Sequence, residues 1–228
     1  MDVGIIGALV AAAVACLMAF PLGDALRRYP VPFYLAALVV VGAYCWALLT
    51  GTGLAPVRVL SVVMQRGYLC FALLVLVMVV GCLDEASRLR RRLQPIRGEL
   101  SILAFIFILG YVATYAPGIL RRLRASAQIR DNLLASLVAA VVLLLLFAFL
   151  TLISLRSVRA KMNQRAWRRA QRLSYVMVAL FAAHVWLVLG WSAFAHLGTS
   201  VACVSFALYS AVLVAYVVFR VRKALRRR

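Results

Sequence analysis

Seven runs of mostly apolar residues, at about 3–22, 33–50, 67–83, 100–118, 132–155, 173–194 and 199–219, decide what this chain can fold into. A helix needs roughly 20 such residues to cross the hydrocarbon core of a bilayer. The connections between the runs are short and basic, and none is long enough to make a soluble domain of its own. With 66% apolar and 14% charged residues, the chain departs from soluble domains, which run near ~45–50% and ~25%. So high an apolar content excludes disorder, and five scattered cysteines exclude a disulfide scaffold. The expected fold is all-α: a polytopic integral membrane helical bundle of about seven transmembrane helices.

Charge supplies an orientation. The chain carries 26 Lys+Arg against 6 Asp+Glu. With the N-terminus outside, 20 of the 26 basic residues fall on the cytoplasmic side and 6 on the other, which predicts an N-out/C-in protein of the inner (plasma) membrane. The positive charge therefore reads as topology, with the lipid bilayer as partner and no nucleic acid. The 118–131 loop, basic yet placed outside, fits this least well. The first run begins Met1-Asp2, without the basic start of a signal peptide, and Arg27 and Arg28 follow it, so it is expected to stay as a helix. All six acids lie at helix ends or in loops, with Asp131-Asn132 as a helix N-cap. No carboxylate is expected in the core, which argues against a proton-driven transporter, although Pro117 permits a local break in the fourth run.

Ionisable residues within a span are costly and are functional candidates by default. His184 is the strongest. It lies 11 residues past Leu173, about 16 Å into the sixth run and near the midplane. A neutral imidazole there either ligates a metal or haem iron through one nitrogen, or bonds to a hydroxyl or carbonyl of a neighbouring helix. His196, at the outer end of the same run, reads as interfacial. The cysteines form no close pair and read as small packing residues; no zinc, iron–sulfur, nucleotide or serine-nucleophile motif is present.

Two stretches stand out, one running Arg97-Gly98-Glu99-Leu100-Ser101-Ile102 and on through Phe105, the other from Trp167 through Gln171 to Tyr175 and on to His184. Together they resemble the ferric-reductase-like transmembrane domain family, and within it the haem-binding membrane subunit of the methionine sulfoxide reductase system. The resemblance covers about 33–219 and implies a six-helix domain there, preceded by an additional helix and basic loop at 1–32 and followed by a basic cytoplasmic tail at 220–228. Two of the three family histidines are replaced, by Tyr111 and Gln171, and His184 alone carries over as an axial ligand.

What the resemblance implies is a b-type haem bound through His184, with Tyr111 as the second cofactor-binding candidate. Tyr111 is 11 residues past Leu100, so both side chains are expected at about 16 Å depth. A buried phenol ionises toward iron only with help from the metal or a cation; otherwise Tyr111 fills space and bonds across to His184. The implied function is a membrane electron-transfer subunit, a possible oxidoreductase component, working with a redox partner subunit or quinone. The alternative is a haem-free membrane anchor or assembly subunit on the same fold. A small transporter or channel ranks last, since no intramembrane acid or repeat signals one.

Overall fold

The structure, a computed structural model, describes residues 3–51, 55–64, 66–124, 131–194 and 200–226. Those residues contain helices and turns and no strand. In chain order the helices are α1 (Val3–Ala19), α2 (Gly23–Arg28), α3 (Pro30–Thr50), α4 (Ala55–Met64), α5 (Tyr68–Cys82), α6 (Arg88–Leu93) and α7 (Arg97–Arg124). They continue with α8 (Asp131–Leu152), α9 (Arg156–Lys161), α10 (Gln164–Gln171), α11 (Leu173–Val185), a π-helical turn (Trp186–Gly190), α12 (Trp191–Phe194) and α13 (Ser200–Leu225).

The described residues of each apolar run are mainly helical. Among the described residues five segments are long and apolar enough to cross a membrane: Pro30–Thr50, Arg97–Arg124, Leu133–Leu152, Gln164–Gly190 and Ala202–Leu225. The chain is thus an all-α protein with the helices of a membrane protein. The other two runs are shorter: α1 has 17 residues and α5 has 15, about 25 Å and 22 Å of helix. α5 is short because Gly67 turns into it at φ +68, a conformation glycine takes without strain, and Leu83 leaves it extended.

Several boundaries differ from the sequence reading, among them the end of α13, which runs on to Leu225. α7 runs unbroken through Pro117 to Arg124. Arg121, Arg122 and Arg124 are therefore an exposed last helical turn and not loop, where their charge complements the helix dipole. A proline interior to a helix is tolerated in membrane proteins where the freed carbonyl is satisfied elsewhere. The sixth run is also preceded by a separate short helix, α10, whose Arg165, Arg168 and Arg169 are exposed while Trp167 turns inward. The Asp131 and Asn132 side chains expected as a helix N-cap, and His196, lie outside what is described.

The helices group into two units, Met1–Leu120 with Val214–Arg228, and Arg121–Leu213. In the first, α1 packs along α5 and α4, and Tyr44, Met64, Leu73, Leu100 and Leu103 are fully enclosed. α3 is apolar around its whole circumference and exposes Leu35, Val39, Trp46 and Leu49, a surface suited to acyl chains. In the second, α8 and α11 form the main packed pair. Two contacts fix them as antiparallel: Ile153, just past α8, meets Trp167, while Ser136 near the α8 start meets His184.

Gly7 sets how closely α1 approaches its neighbours, because a Cβ there would lie 2.8 Å from the Val62 carbonyl oxygen and 3.0 Å from the Tyr68 ring. Gly42, on α3, meets nothing within 4 Å. Gly7→Ala is expected to cost about 1–3 kcal/mol of stability through overpacking against backbone. Gly42→Ala is expected to leave the midpoint of thermal unfolding in detergent unchanged or slightly raised.

Candidate functional site

His184 sits at the next-to-last position of α11, half-buried, immediately before the π-helical turn. Its Nδ1 lies 3.1 Å from the Ser136 carbonyl oxygen and 3.1 Å from the Ser136 Oγ, both on α8. A carbonyl only accepts, so the first bond requires a proton on Nδ1. Nδ1–H therefore donates to Ser136, and the ring is held as the tautomer whose lone pair is on Nε2. That is the arrangement of most metal-ligating histidines, in which the distal N–H is tied to a carbonyl and the ring is aimed before any metal arrives.

Ser136 is almost fully buried, at 2% exposure. It is a lone hydroxyl in an apolar stretch, and sequence reasoning passed over it. Only its isolation marked it out, since its partner lies 48 positions away. The contact also refines the depth of His184. Counted along α11 from Leu173 the imidazole is 11 residues in; counted along α8 its partner is 3 residues past Leu133. Because the helices run antiparallel, the site lies nearer the α8 N-terminal end of the pair than its middle.

The π-helical turn widens the backbone just beyond His184, and such turns recur at functional positions. It is wedged by aromatic packing: Trp186 meets Phe206 edge-on at 5.2 Å between centroids and Phe194 at 5.9 Å. A Cβ on Gly190 would stand 3.3 Å from the Phe206 ring. At the other end of the hairpin, Trp167 donates its indole N–H to the Ile153 carbonyl at 3.1 Å, and the Arg159 guanidinium covers its ring at 4.6 Å. The tryptophan quoted for the family resemblance is thus an anchor between α10 and the end of α8.

Tyr111 belongs to the first unit and His184 to the second, and each makes its described contacts within its own unit. Tyr111 packs against the Gly67 turn and tilts on Tyr115 at 4.9 Å between centroids. Arg66 lies within electrostatic range of both phenols, and Tyr44 and Tyr68 within range of Tyr115. Sequence reasoning missed this cluster, because Arg66 was counted only as a loop charge. Thr114 donates to the Gly110 carbonyl at 2.9 Å, so the Tyr44 hydroxyl, 3.0 Å from Thr114 Oγ1, donates to it.

A second omission is Glu99. It stands at a helix end, as expected, but it is buried and accepts a hydrogen bond from the Tyr34 hydroxyl of α3. Gln171 accepts a hydrogen bond on its backbone carbonyl from Ser174. All five cysteines are unpaired. Among the described residues no group of three or more His, Cys, Asp and Glu is gathered as a metal site.

No protein-family model matches the chain, and no solved structure matches it. A protein of Treponema pallidum (strain Nichols), described as uncharacterized, is 32% identical over 207 residues. The match takes in 89% of this chain but 56% of that relative, so the chain spans a little over half of the relative's length.

If the Ser136 carbonyl fixes the tautomer, histidine-selective 15N spectra are expected to show one imidazole protonated at Nδ1 and bare at Nε2. That signal is expected to disappear in His184→Gln and to survive in Ser136→Ala, which keeps the carbonyl and loses about 0.5–1.5 kcal/mol with the hydroxyl contact.

Proposed function

We propose that this chain is a membrane electron-transfer subunit of ferric-reductase-like type, in which His184 holds one b-type haem through Nε2. One observation carries the reading: the Nδ1–H bond to the Ser136 carbonyl leaves the ligating nitrogen bare and the ring aimed. When bound, haem supplies reversible one-electron iron chemistry. The chain's own residues do the rest. Ser136 orients the imidazole, the π-helical turn opens the backbone beside it, and Trp186, Phe194 and Phe206 pack together next to that turn.

Tyr111, in the first unit and within electrostatic range of Arg66, is the second cofactor-binding candidate, through its phenol oxygen. On this reading seven helices cross the inner membrane N-out/C-in, with α1 and α5 as the two short spans. Electrons pass from a cytoplasmic donor or a quinol to an acceptor outside, through a partner redox subunit. The charge asymmetry of the loops and the mainly helical state of the described residues of all seven apolar runs support that topology.

A second reading, a haem-free anchor or assembly subunit, is favoured by the same bond. Ser136 alone satisfies the polar demand of Nδ1, so His184 can serve as an interhelical tie. The two readings part on a reduced-minus-oxidised absorption spectrum of protein made under haem-replete conditions. A Soret band and pyridine haemochrome near one per chain, both lost in His184→Ala, are the expected result. Protein that folds and carries no Soret band overturns the haem reading and leaves the anchor.

A further inference from the structure

At one end of the first unit, basic side chains from three separate stretches converge on the end of α5. Lys223 Nζ, on the last turns of α13, donates to the Gly81 carbonyl at 2.9 Å and also to the Leu83 carbonyl. Arg220, one turn earlier, donates to the Gly81 carbonyl as well. Arg90, on α6, donates to the Leu83 carbonyl at 3.2 Å. Arg97, at the start of α7, lies within electrostatic range of both Arg90 and Arg220. Gly81 is what admits Arg220, since a Cβ there would stand 3.3 Å from the guanidinium.

Burial separates these four from the rest. Arg90, Arg97, Arg220 and Lys223 are half-buried, whereas Arg88, Arg91, Arg92, Arg222 and Arg226 on the same stretches are exposed. Half-burying like charges together is unfavourable, and the end of a helix offers only about half a negative charge in return. The nearby acids do not make up the difference. Residues 84–99 and 220–226 hold nine Lys+Arg and three acids, so an excess of positive charge survives any pairing among them. Of the three acids, Glu85 approaches Arg90 at 3.7 Å from a largely exposed position, and Glu99 accepts from Tyr34.

The chemistry that fits is an oxyanion with several acceptor oxygens, since guanidinium forks and an ammonium match a phosphate. Its setting points to a lipid as the source. Val217, Val218, Phe219 and Val221 of α13 flank Arg220 and are exposed, which continues the apolar surface up to the cations. We propose that Arg90, Arg97, Arg220 and Lys223 form a headgroup site for an anionic phospholipid, whose phosphate they bind and whose acyl chains lie along α13. The proposal rests on the chain being a membrane protein and is independent of haem at His184.

The test uses the full chain, delipidated in a neutral detergent, with thermal unfolding followed as phosphatidylglycerol, phosphatidylcholine or inorganic phosphate is added. Phosphatidylglycerol is expected to raise the midpoint by on the order of 5 °C, and the other two by little. Arg90→Gln with Arg97→Gln is expected to remove most of that rise while Arg220 and Lys223 keep their carbonyls. Arg91→Gln with Arg92→Gln, exposed charges on the same helix, is expected to retain it. Should the first double variant not fold, Arg97→Gln alone serves, because that guanidinium does not bond the α5 carbonyls. An equal rise with phosphatidylcholine, an equal rise with inorganic phosphate, or a full response in the variants lacking Arg97 overturns the proposal.

Discussion

A helix leaves each interior carbonyl oxygen one lone pair and leaves its last carbonyls unpaired, and much of the polar chemistry of this protein is built on these acceptors. With few acids in the chain, side-chain donors bond to backbone. His184 donates to the Ser136 carbonyl, Trp167 to that of Ile153, Arg90 to that of Leu83, and Arg220 and Lys223 to that of Gly81. Thr50, Thr114 and Ser154 return their hydroxyls to carbonyls four residues earlier on their own helices. In an apolar setting an unpaired donor is expensive, and carbonyls are the acceptors available at every depth. Thr151 and Ser210 are the described residues whose buried hydroxyls find no such partner, and nothing in the structure explains them.

This economy explains which parts of the fold were legible in the sequence. Apolar length needs no partner to be read, so all seven runs could be located within a few residues. The local features that trimmed them were also written in the chain: the Gly67 turn ahead of α5, and the arginine-rich α10 ahead of the sixth run. Pro117 permits a break without requiring one, since a carbonyl freed by proline can be satisfied from a neighbouring element. In a membrane segment the helix is the backbone's only way to satisfy itself, and α7 continues through the proline with its cations in the last turn.

Pairings across the chain were not legible. His184 and Ser136 are 48 positions apart, Tyr34 and Glu99 are 65 apart, and Arg220 and Gly81 are 139 apart. No period or spacing announces such pairs, because they are chosen by which helices pack and in what register. The same holds for Arg66. Counted along the chain it is a loop charge beside a glycine, and only the return of α7 past that turn brings Tyr111 and Tyr115 near it. Sequence could nominate His184 and Tyr111 as exceptional residues, and could not say what each would touch.

The bond between His184 and Ser136 is common to both functional readings, so their difference lies in the choice of side chain. A tie between α8 and α11 needs one donor aimed at one carbonyl. A serine or threonine hydroxyl is a smaller donor with no second polar atom to accommodate, although Thr50, Thr114 and Ser154 use theirs on carbonyls four residues earlier in their own stretch of chain. Imidazole brings an additional nitrogen, and fixing the proton on Nδ1 makes that nitrogen a bare acceptor. That nitrogen is not sealed in: among the described residues the enclosed side-chain polar atoms without a partner are the Thr151 and Ser210 hydroxyls. The helix also departs from α geometry in the residues that follow, where a regular helix would have been the more stable local choice. The haem reading proposed above gives a use to both the bare nitrogen and the irregular turn, whereas the anchor reading needs only the Nδ1 bond.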